Sequence, residues 1–148
     1  MRFFSIFILA TIISFSFSPN VLAASDPYYG SQWYLNEVKA PEAWSTTKGS
    51  PAVIVAVIDT GVDLDNPDLQ GNMWINTDEV PGDGLDNDAN GYIDDYNGYD
   101  FVSGSPDPSP KMITGYTSAG MSHGTFIAGI ISGVHDNNFG IKGMTANV

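Results

Sequence analysis

The chain has 148 residues, enough for one modest domain, and its apolar content of 43% is typical of a globular protein rather than a disordered one. It has no cysteine, which excludes a disulfide framework. Asp and Glu number 17 against 5 Lys and Arg, and the net charge of −12 argues against nucleic acid or an anionic membrane as a partner. Such a surface attracts cations, either metal ions or basic peptides.

The first 23 residues have the organisation of a secretory signal peptide. One positive charge precedes an uncharged stretch at residues 3–17, and Val21 and Ala23 stand at the positions that a signal peptidase reads. The stretch of about 15 apolar residues falls short of the roughly 20 that a transmembrane helix needs. We therefore expect cleavage after Ala23, secretion of residues 24–148 and no membrane contact after cleavage.

The next residues predict short elements ahead of one strongly apolar segment. Residues 27–35 are aromatic and rich in turn formers, which indicates an extended arm. Residues 40–50 predict a short helix with Pro41 in its first turn. Five of the six residues at 53–58 are Val or Ile. An apolar run without alternation predicts a strand covered on both faces, as in a parallel sheet.

Asp59 follows this predicted strand directly and begins the sequence Asp-Thr-Gly. Because ligands of open parallel sheets bind beyond the carboxyl ends of the strands, Asp59 would lie at the active edge of the sheet. A turn-initiating aspartate is the alternative for this residue taken alone. Residues 63–100 then form an acidic loop with 11 Asp or Glu, no Lys or Arg, and many turn formers.

Residues 122–133 predict a helix, because apolar residues recur there at helical spacing. Ser122 would cap its N-terminus, and His123 would lie in its first turn, where the helix dipole favours a neutral imidazole. A structural histidine is the alternative for His123 alone, and it is our interpretation of His135. The order of short helix, strand, long loop and helix indicates an α/β fold.

Two segments, VIVAVIDTGVDLDNPDL and SHGTFIAGIISG, resemble the Asp and His motifs of the subtilases, the subtilisin-like serine proteases. The family patterns are D-[TS]-G at a strand end and H-G-T-x-x-A-G at a helix start, and both occur here in the family's order. VKAPEAW upstream and GIKGMTANV downstream also resemble family segments, although Thr145 and Ala146 stand where Ala-Pro is usual. The resemblance covers nearly all of residues 26–148. It implies the start of a doubly wound, parallel-sheet, subtilisin-like α/β fold.

The resemblance also implies an Asp/His/Ser triad that hydrolyses peptide bonds in polypeptide substrates. Asp59 would accept a hydrogen bond from His123 and fix its tautomer. His123 would take the proton of a serine hydroxyl and pass it to the leaving amine. Gly61 and Gly124 would let the chain turn tightly beside these groups. The family's nucleophile motif, G-T-S-M-A, and its oxyanion-hole Asn find no match after His123.

Two serines precede the predicted histidine helix, but Ser118 and Ser122 lack the flanking pattern of the nucleophile, and we interpret them as cap or loop residues. We expect the chain to be the amino-terminal third of a subtilase, truncated naturally or by an incomplete gene and inactive alone. The pro-domain that secreted subtilases usually carry has no counterpart after residue 23. The alternative is a non-catalytic secreted module, either a calcium-binding remnant or a subunit completed by another chain.

The segment DNDANGYIDD, residues 86–95, has the alternating oxygen donors of an EF-hand loop, with Gly at position 6. Asn97 stands at position 12, where Glu is usual, and flanking helices are not predicted. Hard oxygen ligands favour calcium over zinc, for which the chain has no His/Cys cluster. A flexible turn is the alternative. The candidate ligands are Asp86, Asp88, Asn90, Tyr92 and Asp94.

The resemblance implies a different calcium site as well. Many subtilases bind calcium between an N-terminal Asp or Gln and the Asp of an HPDL stretch. The matching positions are Asp26 and Asp68, and Asn66 replaces the usual His. The other ligands of that site come from a later loop in the family, so we expect it to be incomplete here. Substrate preference has no signature in these residues.

Overall fold

The computed structural model describes residues 25–148, so the predicted signal peptide at 1–23 lies outside the described residues. Turns and loops make up most of this part of the chain. None of the helices between residues 25 and 148 has the length and apolar character needed to cross a membrane. The helices are α1 (Trp33–Glu37), α2 (Ala40–Trp44), α3 (Ser118–Met121) and α4 (His123–Ser132), with 3-10 turns at Tyr29–Ser31 and Gln70–Asn72.

The first described residues form helical turns, and the prediction of an extended arm at 27–35 is wrong. The N–H of Ser31 donates to the carbonyl of Tyr28 at 2.9 Å, and the resulting turn leads into α1. Leu35 of α1 is 1% exposed. The side chain of Gln32 exchanges two 2.8 Å hydrogen bonds with the backbone of Lys142. The burial of Leu35 and the hydrogen bonds of Gln32 hold these turns against the rest of the molecule. The aromatic composition of residues 27–35 does not predict either contact.

The short helix predicted over residues 40–50 is confirmed at its start as α2, but it ends at Trp44 and residues 45–50 are not helical. The indole Nε1 of Trp44 donates to the carbonyl of Met144 at 2.8 Å, and its ring packs edge-on against His135 with centroids 4.8 Å apart. The imidazole Nε2 of His135 lies 2.8 Å from the carbonyl oxygen of Gly143. Both contacts agree with a structural role for His135.

Residues 53–58 do not form the predicted buried strand. They have no regular secondary structure, and Ile54 and Ile58 are 63% and 95% exposed. A strand in a parallel sheet needs neighbours to pair its N–H and C=O groups, and within residues 25–148 the only β-pairing consists of isolated bridges. The predicted burial is therefore wrong for the described residues, and the doubly wound parallel sheet stays a prediction.

The helix predicted over residues 122–133 is confirmed as α4, but it buries small residues rather than its large apolar ones. Phe126 and Ile130 are 58% and 38% exposed. The buried face packs closely on other segments because its side chains are short. That face consists of Gly124, Thr125, Ala128 and Gly129.

The predicted side-chain cap at Ser122 is wrong. The N–H of Ser122 donates to the carbonyl of Ser118 at 2.9 Å, so the chain enters α4 already turned. At φ −86° and ψ 3°, Ser122 lacks the extended backbone that a capping residue adopts. The cap lies one helix earlier, where Thr117 Oγ1 accepts a 3.1 Å hydrogen bond from the N–H of Gly120.

Candidate active site

The loop after residues 53–58 and the start of α4 bring Asp59 and His123 into contact. Oδ2 of Asp59 lies 2.7 Å from Nδ1 of His123, across a sequence separation of 64 positions. The side chain of Asp59 is 18% exposed, whereas that of His123 is 60% exposed. The aspartate is therefore the sheltered member of the pair, and the imidazole is open to a partner from solvent.

Thr60 orients the carboxylate of Asp59. Its backbone N–H donates to Oδ1 of Asp59 at 2.7 Å, and its hydroxyl lies 3.1 Å from the same oxygen. The N–H of Thr60, followed by the hydrogen bond from His123, lowers the pKa of Asp59 below its ordinary value of 3.8. Asp59 is therefore ionised at neutral pH, as an acceptor for an imidazole N–H must be.

The hydroxyl of Thr60 also reaches the segment that leads into α4. It lies 3.0 Å from the carbonyl oxygen of Met121 and 3.2 Å from that of Gly120. A hydroxyl has a single proton, so Thr60 donates to one of these oxygens or to Asp59 at any moment. Thr60 thus links the turn at residues 59–61, the aspartate turn, to the chain just before His123.

Close backbone contact between two glycines brings the aspartate turn against α4. A Cβ atom on Gly124 would collide with the carbonyl oxygen of Gly61 and lie 3.0 Å from Cβ of Asp59. Gly61 has a φ of +115°, which side chains disfavour. As expected, Gly61 permits a tight turn. Gly124 lies within the helix instead, and its missing side chain permits close approach rather than a turn.

The second ring nitrogen of His123 has no hydrogen-bond partner among residues 25–148. Neither Ser118 nor Ser122 hydrogen-bonds to the imidazole there. With Nδ1 committed to Asp59, Nε2 is the nitrogen that is available to an incoming hydroxyl. This arrangement can do acid–base chemistry on a hydroxyl brought to Nε2, which no group within residues 25–148 supplies.

Three carboxylates of the acidic loop converge on one another. Oxygens of Glu79, Asp86 and Asp88 all lie within 4.8 Å of one another. Glu79 is 4% exposed, and its Oε1 accepts hydrogen bonds from the N–H groups of Asn87 (2.8 Å) and Asp88 (3.2 Å). Within residues 25–148 no Lys, Arg or His forms an ion pair with this acidic cluster (Glu79, Asp86 and Asp88).

The residues predicted from the EF-hand spacing form a hydrogen-bonded turn. The N–H of Asn90 donates to Oδ1 of Asp86 and Oδ1 of Asp88, both at 3.0 Å. Oδ1 of Asn90 accepts from the N–H of Tyr92 at 2.8 Å. The amide of Asn76, at 3.0 Å, is the main cause of a lowered pKa for Asp88. Asp86, Asp88 and Asn90 therefore lie together.

The side chains of Asp94 and Tyr92 make other contacts, although the N–H of Asp94 donates to Oε2 of Glu79 at 3.2 Å. Both oxygens of Asp94 accept backbone N–H groups of residues 82–84, at 2.8 to 3.1 Å. The ring of Tyr92 packs against Tyr99 and Phe101, with centroids 4.9 and 5.4 Å away. The carboxylate of Asp94 is thus not among those that converge in the described residues. The third carboxylate beside those of Asp86 and Asp88 is that of Glu79.

Asp26 and Asp68 are joined by a loop at residues 136–141. The two aspartates are 4% and 5% exposed. The N–H of Asn137 donates to Oδ1 of Asp26 and its side-chain amide donates to Oδ1 of Asp68, both at 3.0 Å. The N–H of Ile141 donates to Oδ2 of Asp68 at 2.9 Å. The loop at 136–141 therefore binds both acids through N–H groups, and the expectation that this calcium site is incomplete stays a prediction.

Sequence reasoning missed three residues that shape these clusters. Glu79 and Asn76 precede the hydrogen-bonded turn at residues 86–92 by several positions. No local pattern indicates that their side chains reach that turn. Thr60 did carry a signal, because both residues allowed at the second position of D-[TS]-G bear a hydroxyl.

Comparison with known proteins finds one matching family and several relatives. Residues 50–148 match the Subtilase family. Over 122 residues the chain is 38% identical to "Halolysin" of Haloferax mediterranei, covering 82% of this chain and 19% of that protein. It is 34% identical to "Subtilisin-like protease 1" of Plasmodium berghei, over 81% of this chain and 19% of the relative. It is also 34% identical to "Halolysin-like extracellular serine protease Nep" of Natrialba magadii, over 82% of this chain and 18% of the relative.

The chain belongs to the subtilase family of serine proteases. It spans about a fifth of the length of these curated relatives. The family's characteristic fold is an α/β fold.

Proposed function

We propose that this chain carries the acid–base part of a secreted serine endopeptidase that acts on polypeptides. The observation that supports this proposal is the 2.7 Å contact between Oδ2 of Asp59 and Nδ1 of His123. Asp59 holds the proton on Nδ1 and stabilises the imidazolium. Nε2 then accepts the proton of a serine hydroxyl as it attacks the peptide carbonyl, and later returns it to the leaving amine.

The serine and the oxyanion-hole donor of this mechanism have no counterpart in residues 1–148. The test is therefore a chimera in which residues 26–148 replace the matching segment of the Natrialba magadii relative. We expect the chimera to hydrolyse casein. Asp59→Asn is expected to reduce kcat by about 10⁴-fold, because the imidazole then loses its orienting acceptor. His123→Ala is expected to abolish activity.

The matched control is His135→Gln, which removes the other histidine while sparing the acid–base pair. This variant of the chimera should retain activity. An Asp59→Asn chimera as active as its parent would contradict the proposed role of Asp59. Fluorophosphonate labelling of the purified 148-residue chain is expected to fail, since the nucleophile is not part of this sequence.

We also propose that calcium stabilises the acidic loop. The acidic cluster offers hard oxygen donors, one of them on the buried Glu79, with no ammonium group competing for them in residues 25–148. These residues fit calcium, which takes several carboxylate and carbonyl oxygens. Asp26 and Asp68, both buried beside the loop at 136–141, would hold a second ion. Bound calcium would supply positive charge that offsets repulsion between the carboxylates.

The calcium proposal is tested by melting the protein with and without millimolar calcium. Calcium is expected to raise the Tm of the wild-type chain, and Glu79→Gln is expected to reduce that increase. Asp78→Asn is the control, because Asp78 is exposed and its carboxylate makes no hydrogen bond among residues 25–148. No increase in the wild type would remove the calcium proposal. An equal increase of Tm in the wild type and in Glu79→Gln would exclude a role for Glu79 in calcium binding.

Secretion is proposed from the signal-like pattern at residues 1–23 and from the word "extracellular" in the name of the Natrialba magadii relative. Amino-terminal sequencing of protein in the culture medium is expected to begin at Ala24. Retention of the intact chain in cells would contradict this.

A second candidate is a non-catalytic calcium-binding subunit that another chain completes. It is favoured by the exposure of apolar residues 53–58, where Ile58 is 95% exposed. A chimera that folds and binds calcium but hydrolyses nothing would support this candidate over the first.

A further inference from the structure

Asp100 is the centre of a closed loop that lies beside the aspartate turn. Its Oδ2 accepts hydrogen bonds from Nζ of Lys111 at 2.8 Å and from the hydroxyl of Ser103 at 2.6 Å. Its Oδ1 accepts from the N–H groups of Val102 and Ser103 at 2.9 and 3.1 Å. The Lys111 ammonium, first among these donors, holds the pKa of Asp100 far below its ordinary value. One carboxylate therefore joins the two ends of residues 100–111.

Lys111 fixes the middle of this loop as well as its end. Its Nζ donates to the carbonyl oxygen of Asp107 at 2.9 Å. Oδ1 of Asp107 in turn accepts from the N–H of Ser109 at 3.0 Å. Pro108, between these two residues, presents its carbonyl oxygen to the N–H of Val62 at 3.0 Å. Lys111 thus sets the position of the carbonyl that binds the chain three residues after Asp59.

The loop also lies directly against Gly61. A Cβ atom on Gly61 would lie 2.6 Å from the carbonyl oxygen of Pro108 and 2.8 Å from the nitrogen of Pro110. A Cβ atom on Gly124, in the first turn of α4, would collide with the carbonyl oxygen of Gly61. The aspartate turn is therefore held between the closed loop and the helix that carries His123.

We propose that the Asp100–Lys111 ion pair is a positioning element for the Asp59–His123 pair, acting through Pro108 and Gly61. This inference rests on the proposed acid–base function of that pair. An ion pair at the surface contributes little to global stability. Here the pair closes a loop whose backbone contacts the aspartate turn, so its loss changes the geometry of that turn more than it changes the stability of the fold.

The test is proton NMR of the full chain, observing the low-field resonance of the His123 Nδ1 proton that Asp59 holds. Lys111→Met removes the ammonium while keeping most of the side-chain length, and is expected to abolish this resonance or broaden it beyond detection. Lys111→Arg keeps the charge and donors and is expected to retain it. In Asp100→Asn, the amide oxygen still accepts hydrogen bonds from the N–H groups of residues 102 and 103, so the turn at residues 100–103 is preserved. This variant is expected to weaken the resonance.

Lys48→Met is the control for the loss of one positive charge, because Lys48 is exposed and its ammonium has no partner within residues 25–148. It should leave the resonance unchanged. The Tm of Lys111→Met is expected to stay within about 4 °C of the wild type, a small shift for a chain of this size. A wild-type chain without the resonance would overturn the acid–base proposal itself. A resonance that survives unchanged in both Lys111→Met and Asp100→Asn would overturn only the positioning role.

Discussion

Oδ2 of Asp59 accepts a 2.7 Å hydrogen bond from Nδ1 of His123, although the two residues are 64 positions apart. Two backbone features bring them together. The Asp-Thr-Gly turn presents the carboxylate, and α4 presents the imidazole from its first residue. Gly61 and Gly124 allow the two segments to touch. The contact thus depends on missing side chains as much as on the two polar groups.

Replacement of Gly61 by alanine should destabilise the molecule more than replacement of a glycine in open space. Gly61 has a φ of +115°, and an added Cβ would lie 2.6 Å from the Pro108 carbonyl oxygen. Gly82, the control, also has a positive φ of +78° but has no atom within 4 Å of an added Cβ. Both substitutions incur backbone strain of about 1–3 kcal/mol, and Gly61→Ala adds a collision. Urea unfolding followed by circular dichroism measures the difference, and equal losses would contradict the close contact.

Acid should destabilise the protein partly through Asp59 and Asp100. Hydrogen bonds lower the pKa of both carboxyls below 3.8, the first through the N–H of Thr60 and the second through Lys111. A lowered folded-state pKa means that this stabilisation is present above the unfolded value. It is lost as the pH falls from there through the folded-state value.

The measurement is the free energy of unfolding as a function of pH below about 5. Asp100→Asn should show a smaller loss than the wild type on acidification, because it has no carboxylate to protonate at that position. Glu37→Gln is the control, since Glu37 is exposed and its carboxylate has no hydrogen bond or ion pair in the described part of the chain. Identical pH profiles for Asp100→Asn and the wild type would rule out the contribution of Asp100.

Substitution of the buried Asp68 by asparagine should cost about 1.5–3 kcal/mol of unfolding free energy, the range for hydrogen bonds to charged groups. Its two oxygens accept from the N–H of Ile141 and the amide of Asn137. An asparagine amide turns one acceptor into a donor that faces another donor. Asp65→Asn is the control, because the carboxylate of Asp65 accepts no hydrogen bond in residues 25–148. Chemical denaturation compares the two, and an unaffected Asp68→Asn protein would refute this account of the loop at 136–141.

Aggregation should begin at residues 53–58, which expose β-branched side chains without a pairing partner in the described chain. Ile58→Lys should therefore slow aggregation, measured by light scattering at increasing protein concentration. Val102→Lys is a close control, because Val102 and Ile58 are both 95% exposed. If both lysines slow aggregation equally, added charge rather than the segment is responsible.

Local patterns in the sequence predicted the helix around His123 and the start of the short helix around Pro41, because proline placement and periodicity act over a few residues. They failed for the burial of residues 53–58, because burial depends on neighbouring strands and not on the segment itself. The convergence of Glu79 on Asp86 and Asp88 was also not predicted, because it too depends on contacts outside the local segment. It depends on how successive turns of the acidic loop fold over one another, which no spacing rule records.

The cap at Ser122 illustrates a competing local effect. Ser, Thr and Asp favour a capping position only when the preceding chain is extended. Here α3 ends directly before α4, so the chain arrives helical and Thr117 becomes the cap. The pattern of residues 122–133 contains no information about the preceding helix, so it could not predict that Ser122 is not the cap.

The contact between Asp59 and His123 is best tested by the tautomer of the neutral His123 ring, determined by nitrogen-15 NMR at alkaline pH. A carboxylate at Nδ1 should hold the proton there and leave Nε2 unprotonated, ready to accept a proton from a hydroxyl. Asp59→Asn should weaken that preference. A wild-type ring protonated at Nε2, or a tautomer unchanged by Asp59→Asn, would contradict the acid–base pair.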